Sequence, residues 1–109
     1  MATDQRFVDY IVDQLSGTEG IGTRKMFGEY ALYCGGKVVA LICDNQVFVK
    51  KTAEGEAFIG SENCVDGFAY PGAKPSFLIT EELDDQTWLS TLIQLTAEAL
   101  PEPKPKKKK

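Results

Sequence analysis

The chain has 109 residues, 43% of them apolar and 26% charged, which is the balance of a soluble globular protein with room for one domain and a real core but not for two. No stretch approaches the roughly 18 apolar residues of a membrane span, and Met1-Ala2-Thr3-Asp4 leads into a polar helix start rather than a basic-then-apolar leader, so the expected location is cytoplasmic. Histidine is absent, which removes the commonest general base, the usual zinc partner of cysteine, and any Ser–His or Cys–His nucleophile.

The formal net charge of −4 hides an asymmetry: residues 101–109 hold five lysines and one acid, while residues 1–100 hold seven basic and fifteen acidic side chains. An acidic body repels phosphate backbones, so nucleic-acid binding is expected only weakly and only through the tail. The three cysteines, Cys34, Cys43 and Cys64, contain no CxxC pair and are an odd number. That pattern suits free thiols in a reducing compartment.

In chain order, Thr3 is a candidate cap for a helix over about Asp4–Leu15, with Phe7, Val8, Ile11, Val12 and Leu15 on one apolar stripe. Gly17 stops it, and the glycines at 20 and 22 make a loop feeding Arg24. Arg24–Lys51 holds three apolar runs separated by Gly35-Gly36 and Asp44-Asn45. Both dipeptides favour two-residue hairpin turns, which predicts a three-strand antiparallel meander.

With regular pairing, Cys34 faces Lys37, Tyr33 faces Val38, Ala31 faces Ala40 and Gly28 faces Cys43; across the second turn, Cys43 faces Gln46, Ile42 faces Val47 and Ala40 faces Val49. One sheet face then carries Tyr30, Leu32, Val39, Leu41 and Phe48. The other carries Ala31, Tyr33, Val38, Ala40, Ile42, Val47 and Val49. Both are apolar, so both need cover, from helices on each side or from helices on one side and a partner subunit on the other. Cys34 and Cys43 fall at opposite ends of the hairpin, roughly 30 Å apart at 3.3 Å per residue, too far to bridge.

Thr52–Ile59 reads as a short helix interrupted by Gly55, and residues 60–67 as a loop containing Cys64. Phe68-Ala69-Tyr70 and Phe77-Leu78-Ile79 read as two further short strands around the turn-forming Pro71-Gly72. Glu81, Glu82, Asp84 and Asp85 open a C-terminal helix to about Leu100, where acids complement the helix dipole; a metal site would need oxygen ligands converging from a shaped loop. Trp88, Leu92, Leu95 and Ala99, with Leu89, Ile93, Ala97 and Leu100, give an arc wide enough to cover a sheet face. Pro101 ends the domain at residues 1–100, and residues 101–109 form a disordered Pro/Lys tail.

Cys34, one residue before a turn, is expected to be exposed, either as a reactive thiol helped by Lys37 or as a small strand-end residue; Cys43 reads as core packing and Cys64 as a loop residue. Arg24, Lys25 and Lys74, brought together with Tyr30 or Tyr70, would make an anion pocket, with Gly28 giving close access to a ligand. The plainer reading makes these cations solvated edge charges that discourage strand-to-strand aggregation.

Arg24-Lys25-Met26-Phe27-Gly28, Tyr30, the Gly35-Gly36-Lys37 turn, Asn45-Gln46-Val47-Phe48-Val49-Lys50 and Tyr70-Pro71-Gly72-Ala73-Lys74-Pro75 resemble the TfoX N-terminal domain family, over about residues 5–100. The resemblance implies an α+β fold in which the antiparallel meander and further short strands are flanked by N-terminal and C-terminal helices. It also implies a frequent homodimer and a link to transcriptional control of DNA uptake in the two-domain competence regulators. Glu29 stands where members often carry a second glycine, and the sequence departs from the two-domain regulators in lacking a counterpart of their helical C-terminal domain, so the resemblance does not by itself imply a direct competence role. The expectation is a regulatory or protein-interaction domain with no catalytic residue, metal or cofactor. The alternatives are a small anionic-ligand binder or enzyme around Gly28, with binding candidates Arg24, Lys25, Phe27, Gly28, Tyr30, Tyr70 and Lys74, and weak nucleic-acid binding through the tail.

Overall fold

Two tight turns organise the sheet. Gly35 and Gly36 both take positive φ, 62° and 84°, as do Asp44 and Asn45 at 53° and 58°. Two successive left-handed residues match the right-handed twist of flanking strands, and glycine, aspartate and asparagine bear that conformation at least cost. In the computed structural model, which describes residues 3–26, 29–69, 72 and 74–100, these turns join β2 (Glu29–Cys34), β3 (Lys37–Cys43) and β4 (Gln46–Val49). A further strand, β1 (Ile21–Met26), pairs with β2, and β6 (Ser76–Ile79) pairs with β4 and carries the two-residue β5 (Asp66–Gly67) on its far side. The result is an antiparallel sheet of order β1-β2-β3-β4-β6-β5. Helices α1 (Gln5–Gln14), α2 (Ala53–Ile59) and α3 (Gln86–Ala99) complete an α+β fold.

The regular register expected between β2 and β3 holds at Cys34–Lys37 and Tyr33–Val38, then shifts by one: Leu32 pairs with Ala40, Ala31 with Leu41 and Tyr30 with Ile42. Val39 is the extra residue of a β-bulge. Its carbonyl accepts from Lys50 N at 2.9 Å, and both Val39 and Ala40 point into the core, as the two residues of a bulge can. The shift exchanges the partners of every residue beyond it. Tyr30 and Leu32 join Ala40, Ile42, Val47 and Val49 on one face, while Ala31 and Tyr33 join Val38, Leu41 and Phe48 on the other.

All three helices lie on the first face. Val8, Ile11 and Leu15 from the α1 segment, Ile59 from α2, and Leu89, Leu92 and Ile93 from α3 form one buried cluster with Tyr30, Leu32, Ala40, Ile42, Val47, Val49, Phe77 and Ile79. A fully buried aliphatic side chain contributes about 1.5–3 kcal/mol, so this single layer carries most of the stability. The expected helical stripes pack except at Leu95 and Ala99, which lie outside the core cluster, while Thr96 is fully buried, its hydroxyl bonded to Leu92 O at 2.8 Å.

Several local expectations are corrected. Ile21–Met26 is a strand rather than a loop feeding Arg24, held by backbone pairing along the whole of β2. The cap of α1 is Asp4, which accepts from Arg6 N at 2.9 Å; Thr3 is buried instead, within 2.5 Å of Glu29 Oε1 and 3.2 Å of Ile42 O. Asp66–Gly67 pairs with β6 where Phe68-Ala69-Tyr70 was expected to, and Tyr70 lies outside the described residues. Glu81–Asp84 forms a separate 3-10 turn, and α3 starts only after its cap Asp85, which accepts from Trp88 N at 3.1 Å.

Gly55 does not interrupt α2. It lets the helix sit down: a Cβ there would come within 3.3 Å of the Phe77 ring and 3.4 Å of Leu92 Cδ1, besides 2.9 Å from the cap oxygen Thr52 Oγ1. Gly55→Val is therefore expected to cost about 1–3 kcal/mol by overpacking, measured by urea denaturation. Gly17→Ala, where a Cβ meets nothing within 4 Å, should change the midpoint little.

Candidate functional site

Of the expected anion pocket, the structure describes four residues, and it sets Lys25 and Tyr30 side by side without gathering all four. Arg24 and Lys25 are exposed neighbours on β1, so their side chains leave on opposite faces, Arg24 beside Ala31 and Lys25 beside Tyr30. Tyr30 is buried under α1, its hydroxyl 2.6 Å from Gln5 Oε1. Lys74 precedes β6, four strand spacings from β1, or roughly 19 Å at 4.8 Å each. Phe27, Gly28 and Tyr70 lie outside the described residues.

The helix-free sheet face is the larger feature. Its central row runs Ala31–Leu41–Phe48–Leu78, with Tyr33 opposite Val38 beside it, and none of these belongs to the helix-side cluster. Ala31 and Phe48 are buried in this row, whereas Tyr33, Val38, Leu41 and Leu78 are half-buried. Phe68, just past β5, is 58% exposed. A water-facing antiparallel sheet ordinarily alternates to polar residues on that side, and this one does not.

At one end of this face lies a cavity of about 570 Å³. Antiparallel pairing of β4 with β6 sets Val49 opposite Phe77, so the chain leaving β4 and the chain entering β6 meet at the same sheet end. Lys50 and Lys51 from the first segment and Lys74 and Pro75 from the second line the cavity, over a floor of Leu41 and Phe48. Lys51 is held by Asp66 at 2.5 Å, and its ammonium lies 5.7 Å from the centre of the Phe77 ring. Among the described residues, Lys74 is the one expected binding residue in this group. Lys50 and Lys51 carry no local signal for this site, because they lie 24 and 23 positions from Lys74 and only the β4–β6 pairing joins them.

Cys34 is buried rather than exposed, its thiol 3.7 Å from Glu19 O. Burial pushes its pKa up against the lowering effect of Lys37. Lys37 Nζ donates to Ala97 O at 2.7 Å and Leu100 O at 3.0 Å, where it caps the end of α3. Cys43 is buried as expected, and Cys64 is half-buried between a 3-10 turn and β5. Two acids of the segment make structural bonds: Asp85 caps α3 and Asp84 accepts from the Tyr10 hydroxyl. Among the described residues no group of three or more acids and cysteines is placed to hold a metal ion.

Burial, then the Glu29 and Asp44 carboxylates, push the Cys43 thiol from 9.0 up to about 11. The folded state therefore keeps this proton where the unfolded chain has lost it. Its contribution to stability is level below pH 9 and is lost as pH rises from 9 to about 11. Urea unfolding of the wild type and Cys43→Ala across that range should show the stability gap between them narrowing as pH rises.

The sequence pattern of the TfoX N-terminal domain family matches residues 13–100. The chain is also 40% identical over 109 residues to an uncharacterised 12.7 kDa protein from the trpE 5′ region of Spirochaeta aurantia, covering 100% of this chain and 93% of that one. The match takes in the whole sheet with α2 and α3 and reaches into the end of α1: the chain belongs to the TfoX N-terminal domain family.

Proposed function

We propose that this chain is a protein-interaction module of regulatory type that works as a homodimer in the cytoplasm, with the helix-free sheet face as its contact surface. The observation that carries the reading is the half-buried row of Tyr33, Val38, Leu41 and Leu78 on a face that no helix among the described residues covers. An apolar face of this kind gains stability when a second apolar face removes it from water. A two-fold contact sets the same row against itself, the commonest arrangement of soluble oligomers. Kinship with the N-terminal domains of competence regulators supports the regulatory half of the reading.

Light scattering coupled to size exclusion is expected to give about twice the 12.0 kDa chain mass at micromolar concentration. Tyr33→Glu/Val38→Glu should run as a monomer with an unchanged far-ultraviolet circular dichroism spectrum, because both side chains lie outside the helix-side cluster. A wild-type monomer at that concentration would sink the reading.

A further inference from the structure

The cavity at the β4–β6 end of the sheet has a charge pattern that the rest of the body lacks. Residues 1–100 carry seven basic and fifteen acidic side chains, yet three of the seven, Lys50, Lys51 and Lys74, line this one cavity, and among the described residues no acid does. Asp66, ion-paired to Lys51 at 2.5 Å, orients that ammonium and offsets part of its charge. Lys50 and Lys74 have no ion-pair partner among the described residues.

Beneath the cations, Leu41 and Phe48 make an apolar floor, and Leu100 closes part of the wall. Phe48 is held in place from the side: a Cβ on Gly67 would fall 2.8 Å from its ring, so the backbone of β5 lies directly against it. The volume of about 570 Å³ is that of a small-molecule site.

We propose that this cavity binds a small organic anion with an apolar body, an aliphatic or aromatic carboxylate whose head group meets Lys50 and Lys74 and whose body lies on Leu41 and Phe48. A bare inorganic anion would leave the apolar floor unused. A polyanionic chain would have to approach the acidic body around the pocket. The pocket shares Leu41 with the proposed self-association row, and Tyr33→Glu/Val38→Glu tests that contact without changing any residue that lines the pocket.

The probe is 8-anilinonaphthalene-1-sulfonate, an apolar aromatic anion, titrated into the full chain with decanoate and decyltrimethylammonium as competitors. Expected are saturable binding at one probe per chain with a blue-shifted emission, displacement by decanoate, and little displacement by the cation of equal tail length. Lys50→Glu/Lys74→Glu should weaken probe binding by about tenfold or more, and Lys25→Glu on β1 by less than about twofold. Circular dichroism would check that both variants fold. Absence of saturable binding, equal displacement by the cation, or equal loss in Lys25→Glu and the double variant would overturn the assignment.

Discussion

The bulge at Val39 is the constraint on which the rest of the structure depends. Side chains in a strand alternate faces with period two, so one inserted residue moves everything beyond it to the other side relative to its neighbour strand. Here the insertion aligns Tyr30 and Leu32 with Ala40, Ile42, Val47 and Val49 in one continuous apolar surface. It also turns Val39 inward next to Ala40, giving β3 two consecutive core residues. Without the shift, Tyr30 and Leu32 would share a face with Leu41 and Phe48. The three helices would then meet a surface broken between its first and second hairpin strands.

Polar contacts at the two ends of the sheet fix how the helices sit on that surface. At one end, Asn45 Oδ1 accepts from Asp4 N at 2.8 Å, and Glu29 Oε1 accepts from Asp44 N at 3.1 Å, so the start of α1 is tied to the β3–β4 turn. At the other, Lys37 holds the last carbonyls of α3. Between the helices, Gln14 Nε2 donates to Leu83 O at 2.8 Å, and Gln86 Nε2 donates to Gln14 Oε1 at 3.2 Å. Each bond adds only about 1 kcal/mol net. Their effect is on orientation: they choose one seating of α1 and α3 among several that would bury similar apolar area.

Placing every helix on one face leaves the other to do something else, and the proposed function and the proposed ligand site both follow from that division. The β2–β3 part of the open face presents Tyr33 and Val38 broadly. The β3–β4–β6 part is deeper, walled by the segment that leads into β6 and rimmed by lysines. A flat apolar strip suits a second protein surface, whereas a walled pocket with cations above an apolar floor suits a small amphipathic anion. The two parts meet at Leu41, which belongs to the apolar row and to the pocket floor.

Much of the fold was legible in the residues. The turn pairs Gly35-Gly36 and Asp44-Asn45 announce their left-handed conformations, and the apolar stripes of α1 and α3 repeat at helical spacing, because both signals are local. The strand Ile21–Met26 was not legible: Ile-Gly-Thr-Arg-Lys-Met has no alternation, and only the exposed backbone edge of β2 makes it a strand. The choice of Asp4 over Thr3 as cap was equally invisible, since either side chain can cap, and what decided was the contact of Thr3 with Ile42 and Glu29 across the sheet. Of the binding candidates, Lys74 reaches the cavity, Arg24 and Lys25 diverge across an edge strand, and Tyr30 is committed to the core. By itself, then, the sequence determined the family, the hairpin turns, the amphipathic helices and the fact that both sheet faces are apolar, all properties of neighbours in the chain. Which residues share a face, which face the helices take, and which lysines stand together were decided only by the tertiary structure, because one bulge and one long-range strand pairing set them and neither leaves a periodic mark on the sequence.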